Sequence, residues 1–465
     1  MEDKTQAAML KEKLMPKTQN GWYRIDEATK QEVMEFAKGY MDFLTRAKTE
    51  RETVDATVEL LENEGFVPFR ADGNYQPGDR VYTVNRNKSV IASVIGKQPI
   101  DQGVKLVIAH GDAPRLDLKQ HPLYEADEMA YFKTHYYGGI RKYQWATVPL
   151  ALHGVVVRAD GSRVTVNVGE EEGDPQFVIT DLLPHLSAEQ NKRTLAEGIK
   201  GEELNLLIGS RPFNQDAESD MVKLNVMHIL FEKYGMTEAD FLSAELEVVP
   251  AVKAVDVGFD RSMIGGYAHD DRVCVYSAIM ATMDVAIPDT TVVTVVCDKE
   301  ETGSDGNTGL QSRFVEYFIA DLADAMGGEA RRVLSASRCL SADVNAAFDP
   351  TFADPYDKRN SCYLNYGAVI TKYTGGRGKY DTSDASAEFM GSIRNMLDQN
   401  DVVWQTGELG KVDAGGGGTV AKYVANLNVD VIDLGVPVLC MHAPFEIISK
   451  LDLYMTYKAM EAFYR

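Results

Sequence analysis

The sequence predicts an α/β fold, a mixed, mostly parallel sheet flanked by helices and interrupted by a β-rich insertion. Three observations predict it. Buried strand-like runs alternate with amphipathic helical patterns on both sides of the insertion. One strand, in TVVTVVCDKEETGS (Thr291–Ser304), passes through β-branched residues to Cys297 and then meets Asp298, Lys299, Glu300 and Glu301 without transition. Between about Asp117 and Glu247 the alternation gives way to strands separated by turns. Adjacent carboxylates at the end of a buried strand are costly unless something positive compensates them, and the carboxyl ends of strands are where open α/β sheets bind ligands.

Taken in order, residues 1 to about 20 are polar and form a loose arm. Two helical patterns fill Asp26–Glu64: Val33, Phe36, Ala37, Tyr40, Met41 and Leu44 make one apolar stripe, and Val54, Val58, Leu60 and Leu61 the other, closed by Gly65. Arg80–Ile95 is a hairpin turning at Asn85–Lys88, and Lys105–Ala109 a buried strand ending in His110-Gly111-Asp112. In the insertion, Trp145–Arg158 and Arg163–Val168 are strands around the turn signal Asp160-Gly161, followed by the acidic loop Glu170–Asp174 and a polar stretch, Ala188–Arg211. The βα pattern resumes near Leu246. Glu245–Val255, Ser335–Asp343, Ser361–Lys372 and Val429–Cys440 are strand-like, while Asp271–Val285, Gly309–Met326, Ala385–Asn400 and Ser449–Tyr464 are helical, with Asp270 placed as an N-cap.

The 465 residues allow two or three domains. With 48 Lys and Arg against 70 Asp and Glu, the net charge of −22 favours solubility and argues against nucleic acid and anionic lipid as partners. The five cysteines, Cys274, Cys297, Cys339, Cys362 and Cys440, show no close pairing and read as reduced core residues. The first residues carry no apolar signal region and no stretch is long enough to span a bilayer, so a cytoplasmic protein is expected.

Four predicted strands end in a potential metal ligand: His110; Glu300 with Glu301; Asp343; and His442, after VPVLCM. Asp270 joins them from the start of a helix. Each is weak alone, since a lone histidine is most often a satisfied core or surface residue and a lone Asp a cap or turn. Their recurrence at strand ends of one sheet places them in one crevice. Mixed imidazole and carboxylate donors suit Zn²⁺, Mn²⁺ or Co²⁺ rather than Ca²⁺ or an iron–sulfur centre.

Over nearly its whole length the chain resembles the aspartyl-aminopeptidase family of dinuclear zinc metalloaminopeptidases. The resemblance is carried in order by IAHGDAPRLDLK, AHDDRVCVYSAI, DKEETGS, SADVNAAFDP and LGVPVLCMHAPFE. It implies a zinc-peptidase-like fold and two divalent metal ions per subunit, zinc first, with cobalt or manganese as alternatives. It implies further that Asp270 bridges the ions, that His110 and Asp343 complete one site, and that Glu301 and His442 complete the other. Glu300 would be the general base and Asp112 the partner that orients His110. Gly415–Gly418 with Thr419 matches a glycine-rich active-site loop, which makes Gly416 and Gly417 candidate substrate contacts. Lys372 lies one residue out of register with a family lysine that contacts acidic side chains. THYYGGIRKYQW resembles a segment that reaches into a neighbouring subunit. There Lys142 stands near the place of a family histidine, and His135 falls several residues earlier.

The resulting expectation is a catalytic domain of residues 1–116 and 248–465 interrupted by a dimerisation or lid domain of residues 117–247. It would remove N-terminal residues, acidic ones among them, from short peptides. The resemblance implies a homo-oligomer built from dimers, a dodecamer. The competing readings are a deacylase or carboxypeptidase on the same metal architecture, and a non-catalytic scaffold that keeps the fold.

Overall fold

The computed structural model describes residues 5–15, 18–214 and 219–465. Within the expected loose arm, Gln6–Leu14 is helical, while residues 1–4, 16 and 17 lie outside the described residues. Among the described residues, nine strands form the main sheet. At its centre Val292–Cys297, Lys105–His110, Arg338–Ser341 and Asp430–Gly435 lie side by side and parallel. The hairpin Arg80–Asn85 and Ser89–Val94 flanks them on one side, turning through Arg86 and Asn87 in the left-handed region. Ala368–Thr371 and Trp404–Thr406 flank them on the other.

The central strands are buried on both faces, which explains their near-continuous apolar sequence. In Lys105–His110, Val107 and Ala109 enter one core while Leu106 and Ile108 enter the other. Glu27–Arg46, Glu50–Asn63, His269–Asp284 and Lys450–Tyr464 cover the first face. Phe314–Ala325, Ala330–Ala336 and Ala421–Ala425 cover the second.

Among the described residues, seven strands drawn from Arg115–Pro250 form a second sheet, antiparallel throughout and with its own apolar core. Here the structure departs from the sequence reading at three places. Ala244–Pro250 pairs with Leu150–Val157 and Arg115–Ala126, so it completes this sheet instead of resuming the parallel one. Met221–Tyr234 is a helix that the pattern did not reveal, because its apolar residues are distributed round the axis. The strand expected from Trp145 starts at Leu150, after the single turn Lys142–Trp145.

A third sheet joins Asn345–Ala346, Pro437–Leu439, Glu446–Ser449, Met263–Gly266 and Val255–Val257. The long strand expected over Val429–Cys440 is therefore two strands in two sheets. Likewise Ser361–Lys372 reduces to Ala368–Thr371, since Asn365 and Gly367 take φ of 70° and 84° and break the extended run. Four of the cysteines are buried and unpaired as expected, but Cys440 is exposed.

The first and second sheets are joined by buried charge. Glu52 caps its own helix through Thr49 and also accepts from His153 Nδ1 at 2.8 Å. His153 Nε2 lies 3.1 Å from Glu170, which also pairs with buried Lys48 at 3.0 Å. Burial alone would lower the imidazole, yet its bonds to Glu170 and Glu52 prevail and raise it from 6.5 to about 9. A raised folded-state value stabilises the fold fully below about pH 6.5 and loses that contribution as pH rises through about 9. Wild type is expected to lose up to about 3 kcal/mol over that interval. Chemical denaturation of His153→Gln should show a flatter profile there, and identical slopes would remove His153 as the titrating link.

Candidate active site

The parallel strands bring the candidate ligands to one end. His110 is the last residue of its strand, adjacent to Cys297 of the next, and the chain beyond Cys297 turns through Glu300–Thr302. Asp343 follows Arg338–Ser341 on the other side of the His110 strand. A Cβ at Gly435 would lie 1.7 Å from the Asp343 carbonyl oxygen, so the neighbouring strand can approach only as glycine. Two ligands arrive differently from the sequence expectation. His442 follows Pro437–Leu439 of the small sheet. Asp270 caps nothing: it sits in a non-helical step at the start of His269–Asp284, and its carboxylate faces the histidines. Each of these turns holds a non-glycine residue in the left-handed region, with φ of 65° at Ala268, 66° at Lys299 and 63° at His442. Such conformations persist only where the surroundings fix them.

Asp270 stands at the centre. Its Oδ1 lies 3.3 Å from His110 Nε2 and its Oδ2 lies 3.2 Å from His442 Nε2. Around the first pair, Asp343 comes within 3.9 Å of His110; around the second, Glu301 comes within 3.4 Å of His442. The donor atoms of His110, Asp270 and Asp343 lie within 4.8 Å of one another, as do those of Asp270, Glu301 and His442. Glu300 Oε2 is 3.8 Å from His110 Nε2.

This is an electrostatically strained group of acids. Burial pushes Glu301 and Asp343 well above the usual carboxylate range, with the negative charge of Asp270 adding to it. Burial raises Glu300 to about 7. Asp270 goes the other way: burial would raise it, but the two histidine rings facing its oxygens hold it low. Burial would lower His442, yet Asp270 and Glu301 draw it up to about 10. Protons thus hold the charges together, and two buried donor atoms, His110 Nε2 and Glu301 Oε1, have no hydrogen-bond partner among the described residues. Cations bound here would displace those protons and occupy those donors, so the residues fit a divalent metal centre.

Further side chains fix the ligands. His110 Nδ1 meets the Asp112 carbonyl at 3.1 Å and its carboxylate at 3.2 Å. The Asp112 carboxylate also accepts the Glu300 and Glu301 N–H groups and the Tyr137 hydroxyl, the last at 2.8 Å. Glu446 accepts the His442 N–H at 2.6 Å with one oxygen and the Asp270 N–H at 3.0 Å with the other. Asp271 accepts the His110 N–H at 3.3 Å. The roles of Glu446, Asp271 and Tyr137 were not foreseen. Glu446 and Asp271 stand inside quoted motifs, HAPFE and AHDDR, but bonds to backbone amides leave no spacing signal. From the loop after the second-sheet strand Met129–Tyr137, the Gly139 carbonyl accepts from His442 Nδ1 at 2.8 Å.

A cavity of about 430 Å³ opens beside the cluster, lined by Asp270, Glu300, Glu301, Asp343 and His442 together with Gly416 and Gly417. At Gly416 φ is 128° and a Cβ would lie 2.4 Å from the Gly375 carbonyl, so this loop position demands glycine. Two candidates are elsewhere. Lys372 pairs with Asp384 outside the cavity lining. Lys142 stands over the Tyr136 ring, 5.7 Å from its centroid, and is no part of the lining either.

Two imidazoles and four carboxylates at the mouth of a cavity make a candidate centre for metal-dependent hydrolysis. Comparison with known proteins gives its family. Residues 43–464 match the family model described as aminopeptidase I zinc metalloprotease (M18). A probable M18 family aminopeptidase 1 of Clostridium acetobutylicum is 47% identical over 458 residues, covering 97% of this chain and 98% of the relative. The crystal structure of an M18 family aminopeptidase from Thermotoga maritima superposes with a TM-score of 0.93 at 44% identity, covering 97% of this chain and 99% of that one. Aminopeptidase I from C. acetobutylicum superposes with a TM-score of 0.91 at 45% identity, covering 97% and 100%. The chain belongs to the M18 family of zinc metallopeptidases, and it is an aminopeptidase.

Because Glu446 holds two ligand-bearing turns at once, Glu446→Ala is expected to weaken zinc binding about 10–100-fold. Competition with a chromophoric chelator measures this, and an unchanged affinity would show that the turns hold without it.

Proposed function

We propose that the protein is a dinuclear aminopeptidase in which His110, Asp343 and Asp270 hold one metal ion and Glu301, His442 and Asp270 hold the other. One observation carries this reading: the two oxygens of Asp270 face two different histidines, each histidine with a further carboxylate beside it. A shared anionic ligand offsets the repulsion between two dications held close together. When bound, zinc supplies Lewis-acid polarisation of the scissile carbonyl and acidifies water near neutral pH.

The chain's own groups do the rest. Glu300 lies beside both proposed ligand sets, 3.8 Å from His110 Nε2, and burial raises its carboxylate to about 7. It takes the proton of the attacking water and returns it to the leaving amine. Asp112 keeps that base in place by binding its backbone N–H, while also orienting His110. The glycine loop leaves room for peptide backbone at the cavity wall.

Residues 117–247 are read as the dimerisation or lid domain, and residues 1–116 with 248–465 as the catalytic domain. Exposed Leu182, Leu183, Leu186 and Leu195 in the former support subunit contact. With the resemblance, they favour a homo-oligomer built from dimers, a dodecamer acting on short peptides, with Lys142 serving a neighbouring subunit's site. A cytoplasmic location fits the unpaired cysteines, and among the described residues no helix is long and apolar enough to cross a membrane.

Glu300→Gln is expected to keep its zinc while kcat falls about 10²–10⁴-fold, measured on an aminoacyl p-nitroanilide with metal content determined in parallel. Chelation should abolish wild-type turnover, and zinc should restore it. Retained turnover in the variant would remove Glu300 as the base; indifference to chelators would remove the metal mechanism.

A further inference from the structure

We propose that Tyr137 is a positioning residue for the reaction: from the second sheet its hydroxyl fixes the Asp112 carboxylate, and through it the backbone turn that carries Glu300. This rests on the reading of Glu300 as the base. Tyr137 is the last residue of the strand Met129–Tyr137, in antiparallel register with Arg115 of the strand Arg115–Ala126. Asp112 stands just before Arg115 in the chain, so the pairing returns the tyrosine to the start of that strand. There its hydroxyl donates to Asp112 Oδ2 at 2.8 Å.

Asp112 is buried, and its two oxygens are divided between the amides of the two acids that follow Lys299. Oδ1 accepts the Glu300 N–H at 3.1 Å and faces His110 Nδ1 at 3.2 Å, while Oδ2 accepts the Glu301 N–H at 3.2 Å. The tyrosine hydroxyl makes the shortest of these contacts, a charge-assisted bond that sets the plane of the carboxylate. Thr302 Oγ1, at the far end of the same turn, lies 3.5 Å from that hydroxyl. Without it the carboxylate is free to rotate, and the Glu300 amide shifts with its acceptor. A displacement of about 1 Å at a reacting group can cost on the order of 100-fold in rate.

The tyrosine ring is held as well as its hydroxyl. The Arg115 guanidinium carbon lies 3.9 Å from the ring centroid, and that buried cation pairs with Asp117 at 2.8 Å, Glu247 at 3.1 Å and Glu50 at 3.4 Å. Glu50 opens the helix Glu50–Asn63 and Glu247 lies in the strand Ala244–Pro250, so the ring rests on the junction between the two layers. The residues after Tyr137 press on the other ligand set. Gly138 has φ of 73°, and a Cβ there would lie 3.3 Å from Glu301 Cβ; the Gly139 carbonyl accepts from His442 Nδ1 at 2.8 Å. A segment seated against Glu301 and His442 in this way leaves Tyr137 little freedom to turn from Asp112.

Tyr137→Phe tests this, because it keeps the ring on Arg115 and removes the hydroxyl alone. In the zinc-loaded full-length protein, on an aminoacyl p-nitroanilide, kcat is expected to fall about 10–100-fold with KM unchanged within about twofold. In the Glu300→Gln background the same change should cost less than about threefold, because the base through which Tyr137 acts is gone. The Glu300 and Glu301 amides should exchange with solvent about tenfold faster in Tyr137→Phe, with or without zinc, as for one weakened hydrogen bond. Wild-type kcat in Tyr137→Phe, an equal loss in both backgrounds, unchanged amide exchange, or a loss that saturating zinc restores overturns the inference and leaves the peptidase reading intact. A defect in folded Tyr137→Leu that is absent from Tyr137→Phe also overturns it, since ring packing alone would then be the role. No turnover by wild type with zinc, cobalt or manganese overturns both.

Discussion

Everything at this site follows from holding Asp270, Glu300, Glu301 and Asp343 together in a space that water barely reaches. Like charges at such distances in a low-dielectric setting repel strongly, and burial adds a desolvation cost for each. The chain answers with two imidazoles and a set of backbone amides, but these leave His110 Nε2 and Glu301 Oε1 without hydrogen-bond partners among the described residues. A fold that keeps so many acids buried is organised for cations. Metal binding and local stability are then one free energy, because the cations replace the protons that otherwise moderate the repulsion.

That constraint explains the supporting architecture. Asp112 and Glu446 each spend a buried carboxylate on the backbone amides of two ligand-bearing segments, so the ligands are placed by main-chain anchoring as well as by packing. The second sheet takes part directly: Tyr137 reaches Asp112, and the Gly139 carbonyl orients His442. The buried ion pairs through Lys48, His153 and Glu170 hold that sheet against the first. Motion of one sheet against the other would therefore disturb the proposed metal ligands themselves, which would tie the chemistry to the way the two sheets are docked.

Much of this was legible in the chain. The strand ends at His110, Glu300 and Asp343 stood out because an apolar β-branched run that stops at a charged residue is unusual, and the parallel sheet then makes those ends neighbours. His442 was recognisable as a candidate ligand but not by route, since Pro437 begins a strand of another sheet. Asp270 resembled a cap because its helix starts there; only tertiary contacts reveal its carboxylate between two histidines. Glu446 and Asp271 were hidden because they act through other residues' amides, which impose no periodicity. Lys372 is the converse case. A one-residue register difference moves a strand side chain to the other face, and it is Thr371 that lines the cavity.

The central claim is that Asp270 joins two metal positions. Anomalous diffraction at the zinc edge, from crystals of the zinc-loaded protein, tests it most directly. The account predicts two zinc peaks on either side of the Asp270 carboxylate, one beside His110 and Asp343 and the other beside Glu301 and His442. A single peak, or peaks that leave Asp270 out of contact with either ion, would contradict it.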